Sequence, residues 1–202
     1  FGSDDMNLLR ECPCPVWLVK PQAEQSYKRV LAAVDVAYGY PPAELETHQV
    51  LNQQILEIAA SLALSDFAEL HVVHAWQAPD ESTMHGVLHT PKAKIAAYVE
   101  QERRRNKASL DELMRSVPCT LDRNAADYIN PITHLVKGSA SIEIPALAKE
   151  LAADVIVMGT VARTGVPGFF MGNTAETILN QIDCSVLAIK PPGFETPVTV
   201  TD

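Results

Sequence analysis

The chain has 202 residues, a hydrophobic content of 47%, a charged content of 20% and a formal net charge of −9. These are the proportions of one or two ordinary globular domains with room for a sizeable core. An acidic balance without a basic stripe argues against a nucleic-acid or anionic-membrane surface, and the sequence holds neither an apolar run of transmembrane length nor a visible signal peptide.

Read from its start, the chain first presents a repeat. FGSDDMNLLRECPCPVWLVKP at 1–21 aligns without a gap to MGNTAETILNQIDCSVLAIKP at 171–191. Gly2 falls on Gly172, Leu9 on Leu179, Cys14 on Cys184, Val16 on Val186, Lys20 on Lys190 and Pro21 on Pro191. Each copy reads as a glycine turn, a short amphipathic helix and a buried strand closed by Lys-Pro. The simplest reading makes 1–21 the last helix and strand of a preceding domain, 22–27 a polar linker, 28–191 a complete second domain and 192–202 a tail. A lone helix and strand cannot bury its own apolar face, so Val16, Trp17, Leu18 and Val19 need a partner, and the nearest equivalent is the strand at 185–189.

Residues 29–36 (RVLAAVDV) have the Val and Ala content of a strand buried on both faces. Leu51, Ile55, Ile58 and Leu62 then repeat at helical spacing within 46–64. LHVVHAW at 70–76 predicts the next strand, and the Pro, Asp, Ser and Gly of 77–90 a loop. Residues 92–116 predict a long charged helix on which Arg103, Arg104 and Arg105 form a solvated face. Residues 117–132 are irregular and 134–137 a short strand. A further helix carries Ile144, Leu147, Ala148 and Leu151, with Pro145 placed in its first turn. DVIVM at 154–158 is followed by a glycine-rich loop, then by the helix and strand of the second copy. This alternation predicts a mostly parallel α/β sheet covered on both faces. His71 and His74 stand three apart on a strand, so they point to opposite faces and form no shared metal site. The four cysteines lack a zinc spacing and are expected to be reduced and mostly buried, which suits a cytoplasmic protein.

The chemistry is expected after the fourth strand of the second domain. GTVARTGVPGFFMGNT places Gly159, Gly165, Gly168 and Gly172 close behind a parallel strand and before a helix start. Glycines there let backbone N–H groups approach an anion, and the helix dipole adds to it; a flexible surface loop would contain the same residues. No Lys-Ser or Lys-Thr follows a glycine, which excludes a P-loop.

The spacing Gly159–Thr–Val–Ala162, nine residues, Gly172–Asn173 resembles the nucleotide-binding motif of the universal stress protein family, G-x-x-G, nine residues, G-[ST]. The resemblance spans 28–191, and the GTVARTG…GNTAE stretch looks most like the second half of the tandem universal stress protein E subfamily. It implies a five-stranded, mostly parallel, doubly wound sheet of order 3-2-1-4-5, of the adenine nucleotide alpha hydrolase-like type. In such a sheet strands one and four meet at the switch point where ligands bind. It also implies ATP, with Mg2+ if bound, as the ligand. Ala33, Val34 and Asp35 would lie near base and ribose, Ala75 would face adenine and Met158 would pack on it. Gly159, Ala162, Gly172, Asn173 and Thr174 would line the phosphates. Arg163 is either a cation facing that charge or a solvated loop arginine. Ala162 and Asn173 depart from the Gly and Ser/Thr of the family pattern and alter the phosphate end. The resemblance further implies association with another such domain, or a homodimer, through antiparallel last strands, so residues 16–20 are expected to pair with 185–190, with Trp17 buried against Leu187. Two functions stay open: a nucleotide-binding stress regulator with little or no hydrolysis, and a non-catalytic interaction module whose crevice is empty or takes a partly apolar ligand. No nucleophile–base pair stands out, so an enzyme is not expected.

Overall fold

The small and β-branched runs line up in one sheet, and the amphipathic runs cover its two faces. The computed structural model describes residues 1–21, 26–36, 41–88, 90–116, 129–160, 171–194 and 196. In chain order these form α1 (Ser3–Glu11), β1 (Val16–Leu18), β2 (Arg29–Ala33), α2 (Pro42–Asp66), β3 (Glu69–Trp76) and α3 (Glu81–Gly86). They continue as α4 (Lys92–Ser116), β4 (Ile132–Lys137), α5 (Ala140–Glu150), β5 (Val155–Gly159), α6 (Asn173–Gln181) and β6 (Ser185–Ile189). The sheet order is β1-β6-β5-β2-β3-β4. Strands β2 to β6 run parallel in the expected 3-2-1-4-5 order, and β1 adds a sixth strand, antiparallel to β6.

Alternation along the strands divides the core in two. Leu31, Ala33, Val73, Ile156, Met158 and Val186 point to the face covered by α1, α5 and α6, where Leu9, Leu147 and Leu179 pack. Val30, Ala32, Val72, Val155, Val157 and Leu187 point to the face covered by α2 and α4, against Ile55, Leu56, Ala60 and Leu110. Burial on both faces is why these runs show no polar alternation. His71 and His74 fall on opposite faces, as expected: His71 meets His134 at 3.0 Å, and His74 reaches Asn106 of α4.

The β1–β6 pairing is centred on Trp17 opposite Leu187, with Val16 opposite Ala188 and Leu18 opposite Val186. Under the repeat, Trp17 and Leu187 are equivalent, and the flanking pairs exchange places. The junction is therefore isologous, one edge presented twice about a local two-fold. Pairing covers 16–18 rather than all of 16–20, and the Lys20 N–H continues it to the Ser185 hydroxyl at 3.2 Å. Trp17 is not buried as expected. It is 47% exposed, its ring 6.0 Å from that of Tyr27, because among the described residues no element covers that face of β1.

Other differences have local causes. Strand β2 ends at Ala33, two residues before Asp35, although the Val34 N–H still bonds the Val73 carbonyl. The 77–90 loop contains α3. Pro145 lies inside α5, not in its first turn. It withholds the N–H that Ser141 O would accept, and the Gln181 amide of α6 donates to that carbonyl instead, at 3.3 Å. Cys12, Cys14 and Cys184 are free, and Cys14 is exposed rather than buried. Arg103 and Arg104 both pair with Glu100 on the outer face of α4, holding its carboxyl down at about 2.

Candidate functional site

Beyond the carboxyl ends of β2 and β5 lies a crevice of about 370 Å3. Strand β2 delivers Ala33, Val34 and Asp35 to it, β3 delivers Ala75, and β5 delivers Met158 and Gly159. Gly172 and Thr174, at the start of α6, close the far side. These eight expected residues come together from four separate segments, as a switch point requires. Asn173 is not among the lining residues. It shares the outer face of α6 with Thr177, whose hydroxyl donates to the Asn173 carbonyl at 2.8 Å, while Thr174 and Ala175 turn inward. Ala162 and Arg163 lie outside the described residues.

The floor is apolar, formed by Leu51, Ile55, Ile144, Met158 and Ile178, and polar groups stand around it. Gly159 lies under close packing from α2: a Cβ there would sit 2.8 Å from Leu51 Cδ2, the end of a flexible side chain.

Three polar residues not anticipated from the sequence organise the crevice. Asn52, 6% exposed, clamps the backbone of Asp35: its Oδ1 accepts the Asp35 N–H at 3.0 Å and its Nδ2 donates to the Asp35 carbonyl at 2.7 Å. It is the polar residue on an otherwise apolar face with Ile55 and Leu56, and that irregularity was the available signal. His74, fully buried, has Nδ1 at 3.3 Å from the Val34 carbonyl and Nε2 at 3.0 Å from Asn106 Oδ1. Asn106 is oriented in turn by donating to the Glu102 carbonyl at 2.9 Å. Thr160 follows Gly159 and joins the two sides of the site. Its N–H donates to the Ile189 carbonyl at 3.3 Å, and its own carbonyl accepts the Gly172 N–H at 3.0 Å. Its hydroxyl accepts from Lys190 Nζ at 2.9 Å. Burial pushes the Lys190 ammonium down to about 8.

The helix start at the crevice differs from its repeat partner. In α1 the Asp5 carboxylate accepts the Gly2 N–H at 2.8 Å, and Asp4 adds a second negative charge to that turn. The matching positions in α6 are Ala175 and Thr174, and no side chain caps the helix. Its first-turn N–H groups and dipole face the crevice with no acid of that turn beside them until Glu176, which pairs with Arg10.

Comparisons with known proteins agree on one family. The sequence profile described as Universal stress protein family matches residues 26–190. The chain is 32% identical over 203 residues to universal stress protein E of Escherichia coli K12, covering 100% of this chain and 59% of that protein. The same figures hold for universal stress protein E of Salmonella typhi. The chain thus spans less than two thirds of the curated relatives it matches. A solved putative universal stress protein from Pseudomonas aeruginosa UCBPP-PA14 superposes with a TM-score of 0.61 at 30% identity, over 95% of this chain and 57% of that one. Universal stress protein UspA from Lactobacillus plantarum, 18% identical, shares the fold with a TM-score of 0.57 over 82% of this chain and 99% of its own.

Proposed function

The chain belongs to the universal stress protein family, and from that premise we propose that its crevice binds ATP or a related nucleotide and that the protein acts as a nucleotide-responsive regulator with little or no hydrolysis. The observation that carries this is the uncapped start of α6 opening on a crevice of about 370 Å3. That volume suits a nucleoside-sized ligand. The apolar floor suits a base, and the Asp35 backbone, held by Asn52, gives the polar side a fixed geometry. The first-turn amides of α6 that follow Gly172 would take the phosphates, with Gly172 lining that end of the crevice. On this reading residues 1–21 are the end of a preceding domain, and the β1–β6 junction is how two such domains associate. The predominantly apolar floor favours a second reading, a non-catalytic module for a partly apolar ligand.

Titration calorimetry with Mg-ATP separates the two. Thr174→Asp gives α6 the acid that α1 carries at Asp4, so it should weaken ATP binding at least about tenfold while leaving the melting temperature unchanged or higher. Asp35→Ala and Gly172→Val should each weaken it as well. Equal affinity in all three variants, or no binding by the wild type, would remove the nucleotide reading.

A further inference from the structure

Lys190 closes the second copy of the repeat and is buried, with 6% of its surface exposed. Its Nζ donates to two acceptors from distant parts of the chain, the Leu9 carbonyl in the last turn of α1 and the Thr160 hydroxyl at 2.9 Å. The Phe194 ring lies beside it, 4.7 Å to the centroid. Neither acceptor is accidental. The Leu9 carbonyl would ordinarily receive the N–H of residue 13, but Pro13 has none, so the helix leaves it an orphan. A cation at a helix C-terminus also meets the negative end of the dipole. The equivalent lysine of the first copy behaves differently: Lys20 Nζ lies over the Phe1 ring at 3.9 Å.

Thr160 carries the connection onward. With its hydroxyl held by Lys190 and its N–H by Ile189, its carbonyl is placed to receive the Gly172 N–H at 3.0 Å. Gly172 is the residue from which α6 starts, and both Thr160 and Gly172 line the crevice. The bonds run without a break from Leu9, through Lys190 and Thr160, to Gly172.

We propose that Lys190 is a positioning residue for the crevice: by holding the α1 carboxyl end and Thr160 together, it sets the start of α6, so that docking of the first helix–strand unit governs ligand affinity in the second domain. The ligand half of this rests on the nucleotide reading above; the positioning half does not. Apolar packing of Leu9 and the Arg10–Glu176 pair also tie α1 to α6, but Lys190 is the side chain that hydrogen-bonds both α1 and Thr160, so loss of the ammonium should free Thr160 and, through it, the Gly172 amide.

The test uses the full 202-residue chain with Lys190→Met, Thr160→Val and the double variant. Two readouts are taken: Mg-ATP affinity, and hydrogen exchange of the Gly172 amide without ligand. Each single variant should speed exchange at the Gly172 amide roughly tenfold, as expected for losing one charge-assisted hydrogen bond, with α4 amides unchanged. The double variant should be no faster than either single, because both break the same chain. Thr160→Ser, which keeps the hydroxyl, should restore slow exchange. ATP affinity should fall in the same non-additive pattern. If the wild type binds no ATP, the nucleotide reading fails, and exchange alone decides the positioning role. Unchanged exchange at the Gly172 amide in Lys190→Met, or additive effects in the double variant, overturns the proposal.

Discussion

Helix α1 with strand β1, and helix α6 with strand β6, carry one residue pattern and meet different surroundings. In the second copy Ile178, Leu187 and Ile189 are all buried. At the matching positions of the first copy, Leu8, Trp17 and Val19 are 49%, 47% and 57% exposed. Strand β6 lies between β5 and β1, whereas β1 stands at the edge with β6 as its neighbour. Apolar periodicity marks a face that can be buried; neighbouring elements decide whether it is. The two helix starts diverge for a related reason. The α1 start faces outward and carries its own acids, Asp4 and Asp5. The α6 start faces a crevice, and the equivalent acids are absent.

Truncating matched residues gives the largest separation between the copies. Ile178→Ala removes a side chain that is 2% exposed in the core between α5, α6 and the sheet. It should cost about 2–5 kcal/mol, part transfer and part cavity. Leu8→Ala, at a half-exposed position, should stay within about 0.5 kcal/mol. Urea midpoints of the two variants check this. Equal losses would mean that the exposed face of the first copy is covered in solution and that the contrast between copies is false.

The copies also show what could be read from the residues and what could not. The strand runs were legible because a strand buried on both faces needs consecutive Val, Ala and Ile, and α4 matches its expected 92–116 bounds. Asp35 and Gly159 were legible as crevice residues because position at a strand's carboxyl end follows from chain order in a parallel sheet. Asn173 stands one helical residue away from the crevice-lining Thr174, a rotation that no motif spacing resolves. Asn52 could be seen as polar within an apolar stripe, but its partner could not, since the Asp35 backbone becomes a target only once α2 lies across β2. Thr160 and Lys190 were least legible. Their roles depend on a carbonyl 181 positions away and on a proline that leaves it without an amide.

A smaller, pH-dependent effect sharpens the same comparison at Lys190, buried where the first copy docks. Burial holds it at about 8 against 10.5 for an ordinary lysine. Between those two values the unfolded chain binds the proton and the folded chain releases it, so unfolding takes up protons. Stability contributed at this site is therefore lowest below pH 8 and rises as pH climbs to 10.5. The gain across that window should be about 3 kcal/mol, and it should vanish in Lys190→Met. Denaturant melts of both proteins from pH 7 to 10.5 test this through their difference. A difference that stays flat with pH would mean that Lys190 is as well solvated when folded as when unfolded.

The smallest effect belongs to the ion pair that joins the copies across their helices. Arg10 of α1 and Glu176 of α6 meet at 2.7 Å, with side chains 40% and 38% exposed. The distance is short, but water and salt reach both groups, and two long side chains lose rotamer freedom to hold one geometry. A double-mutant cycle with Arg10→Met and Glu176→Gln should therefore return about 0.5 kcal/mol of coupling, shrinking further in molar salt. Glu176 also sits in the first turn of α6, where its charge favours the helix dipole, so Glu176→Gln alone should cost slightly more than the coupling. A coupling above about 2 kcal/mol that survives salt would contradict this, because only a desolvated pair behaves that way. It would assign the cohesion of the two copies to their helices rather than to the apolar contacts of Leu9, Ile178 and Leu179 and the β1–β6 ladder.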